Sequence, residues 1–226
     1  MKLRCSASNR LDYFGDFMLF SPIFKTVRLI RLLLNKGGPV LRIISGSLKG
    51  KQLKSFKGYG IRPTSDRVKE ALFNIISPVM TEDTRVLDLF SGTGSLGIEA
   101  LSRGAVSVCF VEKTKSSLNL LRQNIKLCNL TKKAEIMPCD VKKAISKLGE
   151  KGRTFDLVFA DPPYGKGLID ETFEALSVSG IVKGAIVVAE HPPGEAVRSA
   201  YNQLERFDSR KYGGTSLSFF KVGDNN

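Results

Sequence analysis

Residues 159–167 read "FADPPYGKG": an acid, two prolines and a tyrosine directly after the apolar run Phe155, Leu157, Val158 and Phe159. Proline fixes φ and carries no N–H, so Pro162 and Pro163 leave a rigid run of carbonyls with no competing donor. The Asp161 carboxylate and a proline carbonyl then form a pair of acceptors, suited to an exocyclic NH2 group with two protons to give. Accepting both protons pushes electron density toward the nitrogen and aims its lone pair at an electrophile. Tyr164 adds a flat face on which a base can stack, worth about 1–3 kcal/mol. A stiff turn closing a strand would explain the prolines, but not an Asp and a Tyr flanking them. Asp161, Pro162, Pro163 and Tyr164 are the candidate catalytic residues.

A second stretch, "DLFSGTGSLG", holds a G-x-G-x-x-G pattern at Gly92, Gly94 and Gly97. Such a loop turns sharply, approaches a ligand closely and points a helix N-terminus at it. The pattern alone fits a dinucleotide such as NAD or S-adenosylmethionine (SAM). Glu112, 20 residues after Gly92, can accept hydrogen bonds from both ribose hydroxyls of either. Asp88 discriminates. A carboxylate inside a strand is costly unless paired; a pyrophosphate would set like charges together, whereas the cationic amino-acid end of SAM supplies the partner. Asp140, after "IMPC", ends the third strand, where an adenine amino group could be held, and serves equally as a cap for the helix that follows. With Phe90 and Thr93 from the loop, the candidate SAM set is Asp88, Phe90, Gly92, Thr93, Gly94, Glu112 and Asp140.

These residues need elements to hold them. From Arg85 the chain alternates apolar strand runs with amphipathic helices: "RVLDLF", "SLGIEALSRG", "VSVCFVE", "SSLNLLRQNIKLC", "AEIMPCD", a short helix at 141–148, "TFDLVFADPPY", "LIDETFEALSV" and "AIVVAE". Continuous apolar strands alternating with helices mean a parallel sheet covered on both faces. "QLERFDSRKYGGTSLSFFKV" reads as a terminal antiparallel hairpin. The fold class is thus a doubly wound α/β sheet of about seven strands, and its ligand edge lies beyond the carboxyl ends of the parallel strands. Upstream, residues 41–67 are Gly-, Ser- and Lys-rich with short alternating apolar positions, a small β-ribbon or loop module. "PTSDRVKEALFNIIS" then starts a helix capped by Thr64 or Ser65. The division expected is 1–40 as an extension, 41–80 as a basic ribbon and helix, and 81–226 as the core.

Charge is unevenly spread. The net formal charge is +13; residues 1–80 hold 15 Lys and Arg against 4 Asp and Glu, and residues 81–226 hold 20 against 18. A localised basic segment points to a polyanion. Four cysteines without a CxxC pair and a single His191 argue against a zinc centre and a histidine-based triad. The segment 17–34 is apolar but interrupted by Pro22, Lys25, Arg28 and Arg31, too broken for a membrane span. It reads as a basic amphipathic helix, an organelle transit peptide or the product of an early start codon, and is expected to be poorly ordered or non-native.

The glycine loop with a downstream "DPPY" resembles the SAM-dependent methyltransferases of exocyclic base amines. "RIISGSLKGKQL", "RPTSDRVKEALFNII", "LDLFSGTGSLGIEALSRGA" and "YGGTSLSFF" together resemble the RsmD-type enzymes, over about Arg42 to Phe220. The resemblance implies transfer of the SAM methyl group to a guanine N2 of bacterial small-subunit (16S) ribosomal RNA. It also implies a cytoplasmic, monomeric enzyme with rRNA or the small subunit as partner, no metal and no membrane; an organellar location would follow only if the extension is a transit peptide. Arg62, Pro63 and Thr64 would lie over the active site. Arg42, Lys49, Lys51, Lys54, Lys57, Arg62 and Thr64 would contact RNA. One departure is Ser45-Gly46, where the family carries a glycine pair. The rival readings are an adenine-N6 methyltransferase on RNA or DNA, a protein glutamine methyltransferase, an NAD(P) oxidoreductase and a non-catalytic RNA-binding assembly factor.

Overall fold

A computed structural model describes residues 40–56, 65–163 and 167–223. The expectations for the N-terminal extension and for Lys57, Arg62, Thr64 and Tyr164 lie outside the described residues. Eight strands form one sheet in the order β3-β2-β1-β4-β5-β8-β7-β6. Strands β1 (Arg85–Leu89), β2 (Ser107–Val111), β3 (Ala134–Met137), β4 (Leu157–Ala160) and β5 (Ile186–His191) are parallel; β7 (Leu204–Tyr212) and β8 (Thr215–Val222) are antiparallel. β8 runs between β5 and β7, so the hairpin adds to the sheet through its second strand. A two-residue strand, β6 (Ala200–Tyr201), pairs with β7 and brings the count one above the expected seven. Nothing in so short a stretch signals a strand on its own; only pairing with β7 makes it one.

Among the described residues five α-helices cover the sheet: α1 (Asp66–Ile76), α2 (Ser95–Ser102), α3 (Lys115–Leu127), α4 (Val141–Glu150) and α5 (Leu168–Val178). Strand residues alternate between faces, and two apolar layers result. One packs Val86, Val108, Phe110, Leu157, Phe159 and Val188 under α1, α2, α3 and Leu41, Ile43 and Leu53 of the ribbon. The other packs Leu87, Cys109, Val158 and Val187 under α4 and α5. Cys109 is a core residue, its thiol pushed up to about 12 chiefly by burial, and so chemically inert.

The ribbon reduces to an antiparallel bridge between Arg42 and Gln52 around a turn. Its fixing point is Gly46. There φ is +82°, and an added Cβ would sit 1.8 Å from the Ser102 carbonyl oxygen. Ser102 also receives Ser47 N–H at 2.8 Å on that carbonyl and, on its hydroxyl, Leu48 N–H at 3.0 Å. One glycine suffices for this approach; Ser45, the departing position, gives its carbonyl to the Ser102 hydroxyl at 2.6 Å. No helix among the described residues is long and apolar enough to cross a membrane.

Candidate functional site

β1 lies between β2 and β4, where the strand order reverses. Ligands of open α/β sheets bind at such a switch, beyond the carboxyl ends of the strands. The glycine loop leaves β1 there. Phe90 has φ 58°, in the left-handed region, which costs a non-glycine residue about 1–2 kcal/mol. Ser91 holds the turn: its hydroxyl donates to the carbonyls of Asp88 at 2.6 Å and Val111 at 3.1 Å. Gly94 opens α2 as its N-cap at φ 81°. Gly97 allows that helix to meet the strand. A Cβ there would fall 2.3 Å from a ring carbon of Phe110 and 2.9 Å from the Asp88 carboxyl.

Asp88 is buried, with Oδ2 accepting the Gly97 N–H at 3.0 Å. Burial raises its pKa to about 7, with the Glu112 charge adding and the Gly97 bond opposing. Glu112, just past β2, accepts the Gly92 N–H at 3.0 Å and the Thr114 N–H at 2.7 Å, so one carboxylate ties the glycine loop to the start of α3. Asp140 caps α4 by accepting Lys142 N–H at 3.0 Å and pairs with Lys113 at 3.3 Å. Thr93 gives its carbonyl to the Asn124 carboxamide at 2.9 Å.

Just past β4, Asp161 follows Ala160 directly, Pro162 is buried and Pro163 is exposed. The register Ala160↔Ala189 brings Glu190 of β5 beside Asp161, on the sheet face that also carries Asp88. Burial holds the Asp161 carboxyl well above the usual carboxylate range, and the charges of Glu190 and Asp88 push the same way. Three carboxyls thus converge on one face of the sheet edge. Among the described residues no group of His, Cys, Asp and Glu is arranged to hold a metal ion. The geometry offers a cationic ligand a buried acid and a nucleoside two further acids, which fits SAM.

Comparison with known proteins identifies the family. The family model described as "Conserved hypothetical protein 95" matches residues 41–221. Ribosomal RNA small subunit methyltransferase D of Escherichia coli is 38% identical over 146 residues, 65% of this chain and 71% of its own length. The chain belongs to the RsmD-type methyltransferase family. A Bacillus subtilis relative, YlbH, provisionally named an rRNA methyltransferase, is 36% identical over 188 residues, covering 80% of this chain and 98% of its own. The solved structure of yhhF from E. coli, provisionally named a methyltransferase, superposes with TM-score 0.70 at 28% identity, over 81% of this chain and 98% of that one. As an RsmD-type protein the chain has the class I methyltransferase fold and uses SAM.

The described site brings together Asp88, Phe90, Gly92, Thr93, Gly94, Glu112, Asp140, Asp161, Pro162 and Pro163 along one sheet edge. The ribbon joins it through Asn124, which bonds both the Lys54 backbone and the Thr93 carbonyl. Lys49 and Lys54 are exposed and Lys51 is half-buried, while Arg42 is held by Asp66 at 2.8 Å. Sequence reasoning missed Ser91, Glu190, Asn124 and a buried network on α2. There Glu99 accepts Ile44 N–H at 2.8 Å, Ser45 N–H at 2.9 Å and Arg103 Nε at 2.8 Å, with Lys69 Nζ 3.8 Å away. Lys69 donates to the Arg42 carbonyl at 2.7 Å and the Ser95 hydroxyl at 3.1 Å. The signal was available: Glu99 stands in an otherwise apolar helix run, and Lys69 shares the α1 stripe of Leu72, Phe73 and Ile76.

Proposed function

We propose that this protein transfers the SAM methyl group to the exocyclic N2 of a guanine in small-subunit ribosomal RNA. The observation that carries the guanine reading is the register of Asp161 and Glu190 on adjacent strands. Asp161 and the Pro162 carbonyl accept the two protons of the amine. Glu190, one strand over, would accept N1–H, a donor that guanine has and adenine lacks. The name of the E. coli relative, ribosomal RNA small subunit methyltransferase D, supports the substrate class.

Bound SAM supplies an electrophilic methyl group, so the protein's work is positioning. As the N–C bond forms, the methyl–sulfur bond of SAM would break, leaving a neutral thioether. The proton released by the nitrogen would pass to a carboxylate oxygen of Asp161, which must be ionised to take it and whose raised pKa makes it the stronger base once it is. Tyr164 stacks the flipped base. Asp88 faces the cationic amino-acid end of SAM, Glu112 the ribose, and Asp140 the adenine amine.

Two expectations follow for the cofactor. Asp88 must ionise to meet a cation, so SAM affinity should rise with pH through about 7, with protons released on binding. The ligand-free protein behaves oppositely: with a raised folded pKa, the stability contributed by Asp88 is full below the unfolded value and lost as pH climbs through about 7. Calorimetry from pH 6 to 8 should show the slope, and Asp88→Asn should remove it. Glu112→Ala should weaken SAM binding about 10- to 100-fold, from loss of charged hydrogen bonds worth about 1.5–3 kcal/mol. Glu112→Gln should lose less, because its carbonyl still accepts from one loop amide. Unchanged affinity in the alanine variant contradicts the ribose assignment.

The reading is tested by incubating the protein with labelled SAM and small-subunit rRNA, free and as ribosomal particle, and analysing the nucleosides. N2-methylguanosine is the expected product. N6-methyladenosine, or no transfer to either substrate, overturns it.

A further inference from the structure

The charge of the core is not evenly laid out. Between Lys113 and Arg153 stand 11 Lys and Arg against 3 Asp and Glu, while the rest of 81–226 is net acidic. The helix α3 contains no acid at all. Its Lys115, Asn119, Arg122 and Lys126 follow one another at helical spacing and are all exposed, opposite the buried Leu118, Leu121 and Ile125. Lys132 and Lys133, in the turn to the edge strand β3, continue the line and are exposed as well.

The ordinary reading is a solvated helix face, and two facts oppose it. First, Lys115 is the first residue of α3, at the positive end of the helix dipole, with no acid in that turn and no side-chain cap. A cation there weakens the helix by about 0.3–1 kcal/mol. Second, Lys115, Arg122, Lys126, Lys132 and Lys133 form no ion pair among the described residues, although Lys113, Lys142 and Arg153 nearby each have a carboxylate.

The line is also continuous with the ribbon. Lys54 bonds Asn124 in both directions, N–H to Oδ1 at 2.8 Å and carbonyl from Nδ2 at 3.0 Å, and its ammonium reaches Gln123 at 2.8 Å. Gln123 lies one helical turn from Lys126. Lys51 is near enough to Cys128, just past the end of α3, to bear on its thiol.

We infer that α3 and the β3 turn form a second RNA-contact surface. Phosphates of the substrate would continue from the ribbon lysines over Arg122 and Lys126 to Lys132 and Lys133. This rests on the RNA-substrate reading above and extends the footprint well beyond the ribbon. Single-sign charge without partners, running on from an RNA-facing module, is complementary to a phosphate backbone and not to a mixed protein surface.

The test compares two variants of the full chain. In the first, Arg122, Lys126, Lys132 and Lys133 are each changed to Gln; in the second, Lys143, Lys147 and Lys151, on or just after α4 on the other sheet face, are changed to Gln. Affinity for a small-subunit rRNA fragment is measured against KCl concentration, with SAM binding as the check on folding. The first variant should keep SAM affinity, bind RNA about 10-fold or more weakly at physiological salt, and lose about 0.7–0.9 from the slope of log affinity against log salt for each contact removed. The second should keep the wild-type slope. Equal slopes in wild type and first variant overturn this surface alone, as does an equal drop in both variants, which would be a net-charge effect. Loss of binding to phosphatidylserine vesicles without loss of RNA binding also overturns it. If the wild-type protein binds no RNA, the substrate reading itself fails.

Discussion

Asp161→Ala is expected to lower the methyl-transfer rate by about 10²–10³-fold or more, the scale seen when one preorganised polar group is removed from a reacting centre. SAM binding should be nearly intact, because Asp161 follows β4, whereas the proposed cofactor acids lie in β1, just past β2 and at the cap of α4. In the proposed reading the size of the effect comes from two functions lost together: an acceptor for the amine and, once ionised, a base for its proton. Asp161→Asn separates them. Asparagine keeps an acceptor oxygen but cannot take the proton, so it should recover part of the positioning and none of the pH dependence carried by the carboxyl. Single-turnover rates with SAM affinities measured alongside give the comparison. Substantial residual activity in the alanine variant would rule out the assigned role.

The second large effect is on stability. Glu99→Ala should destabilise the protein by about 3–5 kcal/mol, the range for breaking a buried charge pair from one side. The change leaves the Lys69 ammonium, already lowered in pKa by burial, without its carboxylate. It also strips two ribbon amides, Ile44 and Ser45, of their acceptor. Glu99→Gln should cost less, since the amide oxygen still takes one of those N–H groups. Urea unfolding measures both. A loss under about 1 kcal/mol for alanine, the level of a surface pair, would mean the network contributes little. The ribbon hangs on this carboxylate, so RNA affinity should fall in the alanine variant before SAM affinity does.

The sheet was legible because its central strands β1, β2, β4 and β5 are buried on both faces and read as unbroken apolar runs between amphipathic helices. The helix α5 was expected over Leu168 to Val178 and forms there; α3 begins one residue earlier than expected, at Lys115. What escaped was pairing. Glu190 looks like the polar end of an apolar strand until the register sets it beside Asp161. Lys69 and Glu99 are anomalies in separate helices, and only the packing of α1 on α2 makes them one network. Asp140 was open between a cap and a ligand contact; its Oδ1 takes the cap bond and its Oδ2 faces Lys113. Glu112 was read for its ligand alone, and its hold on Gly92 and Thr114 depends on how the loop folds back. The fold class follows from periodicity along the chain, whereas the network follows from contacts between segments up to 55 residues apart.

The placement of β8 sets the timing of assembly. Thr215–Val222 lies inside the sheet, between β5 and β7, and is the strand paired to that side of β5. While the chain is still being synthesised, β5 therefore presents a bare edge, and the strand that carries Glu190 is supported on one side alone. Such edges invite pairing with other chains, and long-range closure of this kind is slow. The sheet closes only once residues through Val222 have left the ribosome. A nascent copy thus has its ribbon long before β5, with Glu190, is paired on both sides.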